Sequence, residues 1–419
     1  MKTLLKEVVP VGQKQAVNIL IADGRIAYVG ADAPAHDEVI EGKGAMVSPG
    51  WVDMRAFFAD PGYEHRETIA TGCKAAAAGG FTDVALLPNS NPIVQTKNEI
   101  RYLKTSAQDL LTQVHPIGAV TLETEGKEIA EMIDLHTAGA IAFSDGKALS
   151  HTGVFLKALQ YLQKFDGLLM NRPEDEVLTS HGVMHEGEMS TVLGMPGIPA
   201  AAEEIMIARD LRILEYTGGR LHLSLVSSAR SVEMIREAKA KGLQVSCDVA
   251  IHQLIYNDEA LRSFDTNYKV NPPYRLQEDI DALIEGLKDG TIDAIVSDHS
   301  PYDPENKELE FDLAAFGVIG LQTFLPYLAR LSESVAIETL IEKITTGPRK
   351  LLKLPAVQVE KGQDAHLTVF DLSRKWTFDK MTNHSLSHNS PDFGKELTGQ
   401  VVATIRGEKV HINPSKWSF

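Results

Sequence analysis

Two aspartates stand where short apolar runs end. Asp145 closes Ala142-Phe143-Ser144-Asp145, and Asp298 closes Ala294-Ile295-Val296-Ser297-Asp298 with His299 directly after it. Paired carboxylates can divide general-acid and general-base duties, or hold a hard cation weakly. Buried together without a cation they repel, and their pKa values rise. Two arginines end comparable runs, Arg55 after Val52-Asp53-Met54 and Arg172 after Leu168-Leu169-Met170-Asn171. A guanidinium stays protonated and pairs bidentately with a carboxylate, so it can neutralise such a group but cannot ligate a metal. Asn89 and Asn271 have the amides to hold a small acid, and would look the same as plain turn or strand-end residues. His181 and His185 lie four apart, a metal-ligand spacing on a helix, but in a glycine-flanked loop where no helix is expected. His252 reads as a strand-end hydrogen-bonder and the polar stretch 382–393 as a solvated loop.

These residues need a scaffold that brings run ends together. The stretch 47–92 supplies its first unit: an apolar strand, an Asp60-Pro61-Gly62 turn, an Ala-rich helix over about 67–78, a Gly79-Gly80 stop and a second strand ending at Asn89. Strand, helix, strand implies a right-handed parallel βαβ unit. Eight strands are expected, over 47–54, 82–88, 113–121, 140–146, 167–172, 221–227, 244–250 and 294–300. Helical patterns separate them, among them 98–111, 153–164, 200–216, 229–241 and 277–290. Continuous apolar runs such as Asp83-Val84-Ala85-Leu86-Leu87 fit strands buried on both faces, and eight such units fit an α/β fold of the (β/α)8 TIM-barrel type. An open doubly wound sheet is the alternative, but no Gly-rich phosphate loop follows the first strand.

Both ends of the chain read differently. Residues 1–46 carry a hairpin signal, Ala22-Asp23-Gly24 between two alternating runs, and short strands return over 366–370, 375–378, 401–406 and 410–412. The expected division is therefore a barrel over 47–355 and a small β-sandwich built from 1–46 and 356–419. The formal net charge of −16 argues against a nucleic-acid surface, and no apolar run reaches membrane-spanning length. Cys73 and Cys247 belong to no CxxC pair and read as buried thiols in a reducing cytoplasm.

The stretch Pro49-Gly50-Trp51-Val52-Asp53 with Leu87-Pro88-Asn89-Ser90-Asn91-Pro92 resembles the amidohydrolase superfamily, and within it the dihydroorotases, whose first strand reads roughly PGFVDxHxHxREPG and whose second ends MPNTNP. Further matches are Phe143-Ser144-Asp145-Gly146, Met195-Pro196-Gly197-Ile198-Pro199, Lys269-Val270-Asn271-Pro272-Pro273-Tyr274-Arg275 and Asp293 to Pro301, so the resemblance covers essentially the whole chain. It implies hydrolysis of a cyclic amide at a binuclear metal centre, with Asp298 as catalytic carboxylate, Asp145 as bridging carboxylate, and Asn89 and Asn271 binding substrate. Four of the six ligand positions it implies hold Arg55, Phe57, Arg172 and Leu225, and only the carboxylates Asp145 and Asp298 remain. The substrate arginine falls on Ala59 and the substrate histidine on Tyr302.

The resulting expectation is a dihydroorotase-like protein of pyrimidine biosynthesis with no bound metal, Asp298 vestigial, and Arg55 or Arg172 neutralising Asp298 or Asp145. A cytoplasmic homo-oligomer is expected, and the resemblance implies that it partners aspartate carbamoyltransferase without catalysis. Two other readings stay open: an active amidohydrolase with zinc in a rearranged site, and a metal-free binder of a small carboxylic acid.

Overall fold

The computed structural model describes residues 2–414; Met1 and residues 415–419, the outermost parts of the expected terminal β region, lie outside the described residues. Eight parallel strands stand side by side in chain order: Trp51–Ala56, Phe81–Leu86, Gln113–Gly118, Ala142–Phe143, Leu168–Asn171, Arg220–Leu223, Val245–Ala250 and Ala294–Val296. A parallel bridge between Ala56 and His299 brings the last strand back to the first, so the sheet is a nearly closed barrel. Inward side chains, among them Val52, Met54, Ala85, Ile117, Met170, Ala250 and Val296, fill its interior. The opposite faces pack under the surrounding helices around Trp51, Phe81, Phe155 and Phe324. With both faces buried, the strands lose the alternation that would mark a solvent side, hence the continuous runs in the sequence.

The strand boundaries differ from the sequence reading in two ways, each for a physical reason. The expected strand 47–54 is two strands. Met46–Pro49 pairs antiparallel with residues 367–370 of the terminal sheet, and Trp51–Ala56 begins the barrel after Gly50. A Cβ at Gly50 would lie 2.3 Å from the Thr82 side chain, so only glycine lets the chain change sheets so close to its neighbour. Most of the other barrel strands stop short of their expected ends because the following residues leave the ladder and form the loops of the barrel mouth. Leu225 and Asp298 turn there with φ of +59° and +49°.

Both termini form one eight-stranded sheet. Lys2–Pro10 lies between Val17–Ala22 and Met46–Pro49, and the path continues through His366–Thr377 and Glu396–Arg406 to Lys409–Ile412. The runs expected separately over 366–370 and 375–378 are one strand with a register shift between Asp371 and Lys375. Asp23 and Gly24, both at positive φ, make the expected two-residue hairpin. Leu5, Ile19, Ile26, Val47, Leu367 and Ile405, all from this sheet, share a core of their own. Among the described residues no helix is long and apolar enough to cross a membrane.

Candidate functional site

The C-terminal ends of barrel strands are where loops from many strands converge, and they converge here on an open cavity of about 290 Å³. Arg55, Phe57, Asn89, Arg172, Asn271 and Asp298, all singled out from the sequence, line it together with Tyr63, Arg66, Tyr302 and Phe316.

Arg55 is the penultimate residue of the first strand and is 4% exposed. Its Nε lies 3.2 Å from Asp298 Oδ1, and a terminal nitrogen donates to the Gly146 carbonyl at 3.3 Å. The His252 ring stands on the other side of the same carboxylate, Nε2 3.7 Å from Oδ2. Burial pushes the Asp298 carboxyl up, but His252 and Arg55 outweigh it and hold the group below the ordinary carboxylate value. Asp298 is therefore an ionised carboxylate paired inside the protein, the arrangement expected for one of the two arginines.

Arg172 does not take part in it. Its guanidinium pairs with Glu174, two residues on, and Glu174 Oε1 accepts from Asn271 Nδ2 at 2.9 Å. The nearby carboxylate on its own loop wins over the more distant aspartates. Asp145 has no arginine either. Its Oδ1 accepts the backbone N–H groups of Val120 and Thr121, each at 2.9 Å, and Oδ2 the Thr121 hydroxyl. Burial is the largest influence on Asp145 and raises its pKa despite these bonds. Asp145 thus fastens the end of the third strand to that of the fourth.

Asn89 donates to the Asp145 carbonyl at 2.8 Å, while its Oδ1 is buried without a hydrogen-bond partner. Asn89 Oδ1 would lie 1.8 Å from a Cβ added at Gly146, whose φ is +68°. Gly146→Ala combines that clash with a left-handed backbone, so a loss of about 2–4 kcal/mol is expected in urea unfolding at pH 7.

The remaining positions of the implied metal centre carry apolar groups. Phe57 lines the cavity, and its N–H donates to the His299 carbonyl at 2.9 Å. Leu225 is buried among the inner barrel residues with its N–H on Asp248 Oδ1 at 2.7 Å, yet keeps a left-handed backbone unusual for leucine. His181 is exposed and His185 buried against Arg275, Nδ1 3.1 Å from the guanidinium; burial first and that guanidinium second lower the His185 pKa to about 4. They share no helix and converge on nothing. His299 faces Glu67 at 3.4 Å rather than the cavity residues. Cys73 and Cys247 are buried free thiols pushed up by burial, the former to about 12, and neither is near a nucleophile's pKa. Thr382 and Asn383 in the stretch 382–393 bond within their own turn, but Ser385 reaches Glu67 and Asn389 Nδ2 reaches the Ser300 and Gly317 carbonyls, so this segment braces the barrel mouth.

Zinc would need convergent imidazole, thiolate or carboxylate donors. Among the described residues no group of three or more His, Cys, Asp or Glu side chains is placed to hold a metal ion. The donor set at the mouth does not fit a binuclear centre: one carboxylate is spent on a guanidinium, the other on backbone amides.

Sequence reasoning missed Arg66. It lies between the rings of Tyr63 and Tyr302, 5.0 and 4.7 Å from their centroids. The signal available was an arginine beside an aromatic residue just after the Asp60-Pro61-Gly62 turn.

Residues 44–231 match the family described as Dihydro-orotase-like. The chain is 43% identical over 406 residues to a dihydroorotase of Pelotomaculum thermopropionicum, covering 95% of each chain, and 42% identical over 396 residues to one of Acetivibrio thermocellus, covering 93% of each. Among solved structures, L-hydantoinase (dihydropyrimidinase) from Arthrobacter aurescens superposes with a TM-score of 0.85 at 24% identity, covering 99% of this chain and 97% of that one, a likeness of fold. Relatives this similar over nearly the full length leave one assignment: the chain belongs to the dihydroorotase family, on a barrel of the amidohydrolase type.

Proposed function

We propose that this member of the dihydroorotase family does not hydrolyse dihydroorotate and serves pyrimidine synthesis as a non-catalytic protein. Aspartate carbamoyltransferase is the partner the family resemblance implies. The observation that carries the reading is the buried Arg55–Asp298 pair at 3.2 Å. Opening a cyclic amide needs an activated water and a base free to take its proton. Asp298, the best-placed base, already has Arg55 on one oxygen and His252 facing the other. Arg55, Phe57, Arg172 and Leu225 offer no lone pair to a metal that could activate the water instead.

The test is turnover of dihydroorotate by the purified chain with zinc supplied. No hydrolysis above the buffer rate is expected, and zinc-dependent turnover would overturn the reading. The partner is tested by co-migration with aspartate carbamoyltransferase on a sizing column, expected to be indifferent to chelator.

A further inference from the structure

We infer that the cavity at the floor of the barrel binds one small oxyanion, of the size and charge of phosphate, on Arg349, Arg406 and His366. This site lies at the end of the barrel opposite the mouth and stands independently of the function proposed for the mouth.

The chain brings these three side chains to one place. Arg349 belongs to the helix Thr346–Leu351, which follows the eighth strand. His366 opens the strand His366–Thr377 and Arg406 closes Glu396–Arg406, and the two residues are partners in that antiparallel ladder. Directly opposite residues project to the same face, so the His366 ring and the Arg406 guanidinium are neighbours. The charges of Arg349 and Arg406 are both felt at the His366 ring. The cavity beside them is about 170 Å³ and is lined by Arg349, His366, His115, Gln113 and the segment 354–357. That volume limits a ligand to a handful of heavy atoms.

What these side chains lack is a partner. Arg349 Nε, Arg406 Nε and His366 Nδ1 are all buried without a hydrogen bond to any described residue. The two guanidinium groups can only donate, and the ring nitrogen donates in one of its tautomers. A buried donor left unpaired is costly and calls for a water or an ion. The charge balance selects the ion. Asp83 is the buried carboxylate of this cavity, and its oxygens already accept from His115, Thr82 and Arg349. Asp364 at the rim is exposed and paired with Arg25 at 3.3 Å. Arg406 has no carboxylate in contact among the described residues; its terminal nitrogens donate to the Leu111 carbonyl and to Gln113 Oε1, both neutral. Two guanidiniums thus share one buried carboxylate, and the surplus is positive. Water can take the free donors but carries no charge to set against that surplus, whereas an oxyanion meets both needs. Burial is the first cause lowering the pKa of both Arg406 and His366, and a bound anion opposes it.

The experiment is calorimetric titration of the full chain with inorganic phosphate at pH 7, in a chloride buffer of constant ionic strength. One saturable site per chain is expected. The urea midpoint should then rise by an equal step for each tenfold of phosphate above Kd, as binding to the folded state alone requires. A general salting effect rises instead in proportion to concentration and depends on no single residue. Arg406→Gln should weaken phosphate about tenfold or more. Lys375→Gln, which removes an exposed cation from the far end of the strand that His366 opens, should bind within about twofold of the parent. Circular dichroism checks that each variant is folded. If Arg406→Gln is not, Arg406→Lys replaces it and should still lose several-fold, because the planar fork is gone. No saturable heat would leave the cavity to water and overturn the inference. A midpoint that rises only linearly with phosphate, or unchanged binding by the Arg406 variant, would overturn it as well.

Discussion

Arg55→Met is expected to lower the folding free energy by about 3–5 kcal/mol at pH 7, because it leaves the Asp298 charge buried without its partner. The side chains are 5% and 9% exposed, so water cannot take over the guanidinium's role. In the parent the Asp298 pKa is depressed: burial raises it, but His252 and Arg55 lower it further. A depressed carboxyl contributes stability above the ordinary aspartate value near 4 and loses it as pH falls through the lower, folded value. Without Arg55 only His252 is left to oppose burial, and Asp298 takes up a proton more readily. The deficit of the variant should therefore shrink as the pH is lowered toward 4. Adding Asp298→Asn should recover much of the loss at pH 7, because the uncompensated charge is then gone. Urea unfolding of the parent, both single variants and the double variant at pH 7 and pH 5 reads both effects. An Arg55→Met protein as stable as the parent at pH 7 would show that the pair holds nothing together.

Arg349→Met should be as costly, again about 3–5 kcal/mol, at the opposite end of the barrel. Asp83, in the second strand, is 2% exposed and accepts from Arg349 at 2.5 Å, from the Thr82 hydroxyl at 2.7 Å and from the His115 ring at 2.9 Å. Burial opposes the charge on Asp83, and His115, then Arg349 and Thr82, overcome it, leaving its pKa well below the ordinary range. The stability held by Asp83 is accordingly present above pH 4 and lost only in strong acid. Arg349 also reaches the Gly50 carbonyl at 3.4 Å, the point where the chain passes from the terminal sheet into the barrel. Its loss should lower the unfolding midpoint in urea and heat. A variant that kept its midpoint would place the stability of this floor elsewhere.

The two arginines show how far the sequence could be read. Arg55 was legible because the resemblance put a cation where a metal ligand belongs, with a carboxylate left over to receive it. Arg172 carried the same argument, but Glu174 lies two residues away on its own loop and captures it. Spacing along a strand end does not reveal which of two carboxylates a side chain will turn toward. The barrel strands were legible because burial on both faces leaves continuous apolar runs. Their ends were not, since the departure at Leu225 and Asp298 is a matter of backbone angle that no side-chain pattern records. Gly50 punctuated the sequence visibly, yet its meaning depended on Thr82, a contact made only in the fold. Arg66 was hidden for a related reason: one of its two rings, Tyr302, belongs to the loop after the eighth strand. Asp145 was legible as a carboxylate, but its partners were not. Amides of Val120 and Thr121 occupy it, and backbone donors cannot be seen in a sequence.

The claim that the mouth of this barrel is organised by an internal ion pair in place of metal is tested most directly by the metal content of the chain, purified without chelator and measured by elemental analysis beside a dihydroorotate hydrolysis assay with zinc added. The account requires far less than one metal per chain and no turnover. One or more metals per chain, with turnover that chelator abolishes, would contradict it, and would mean that Asp298 exchanges Arg55 for a metal ion.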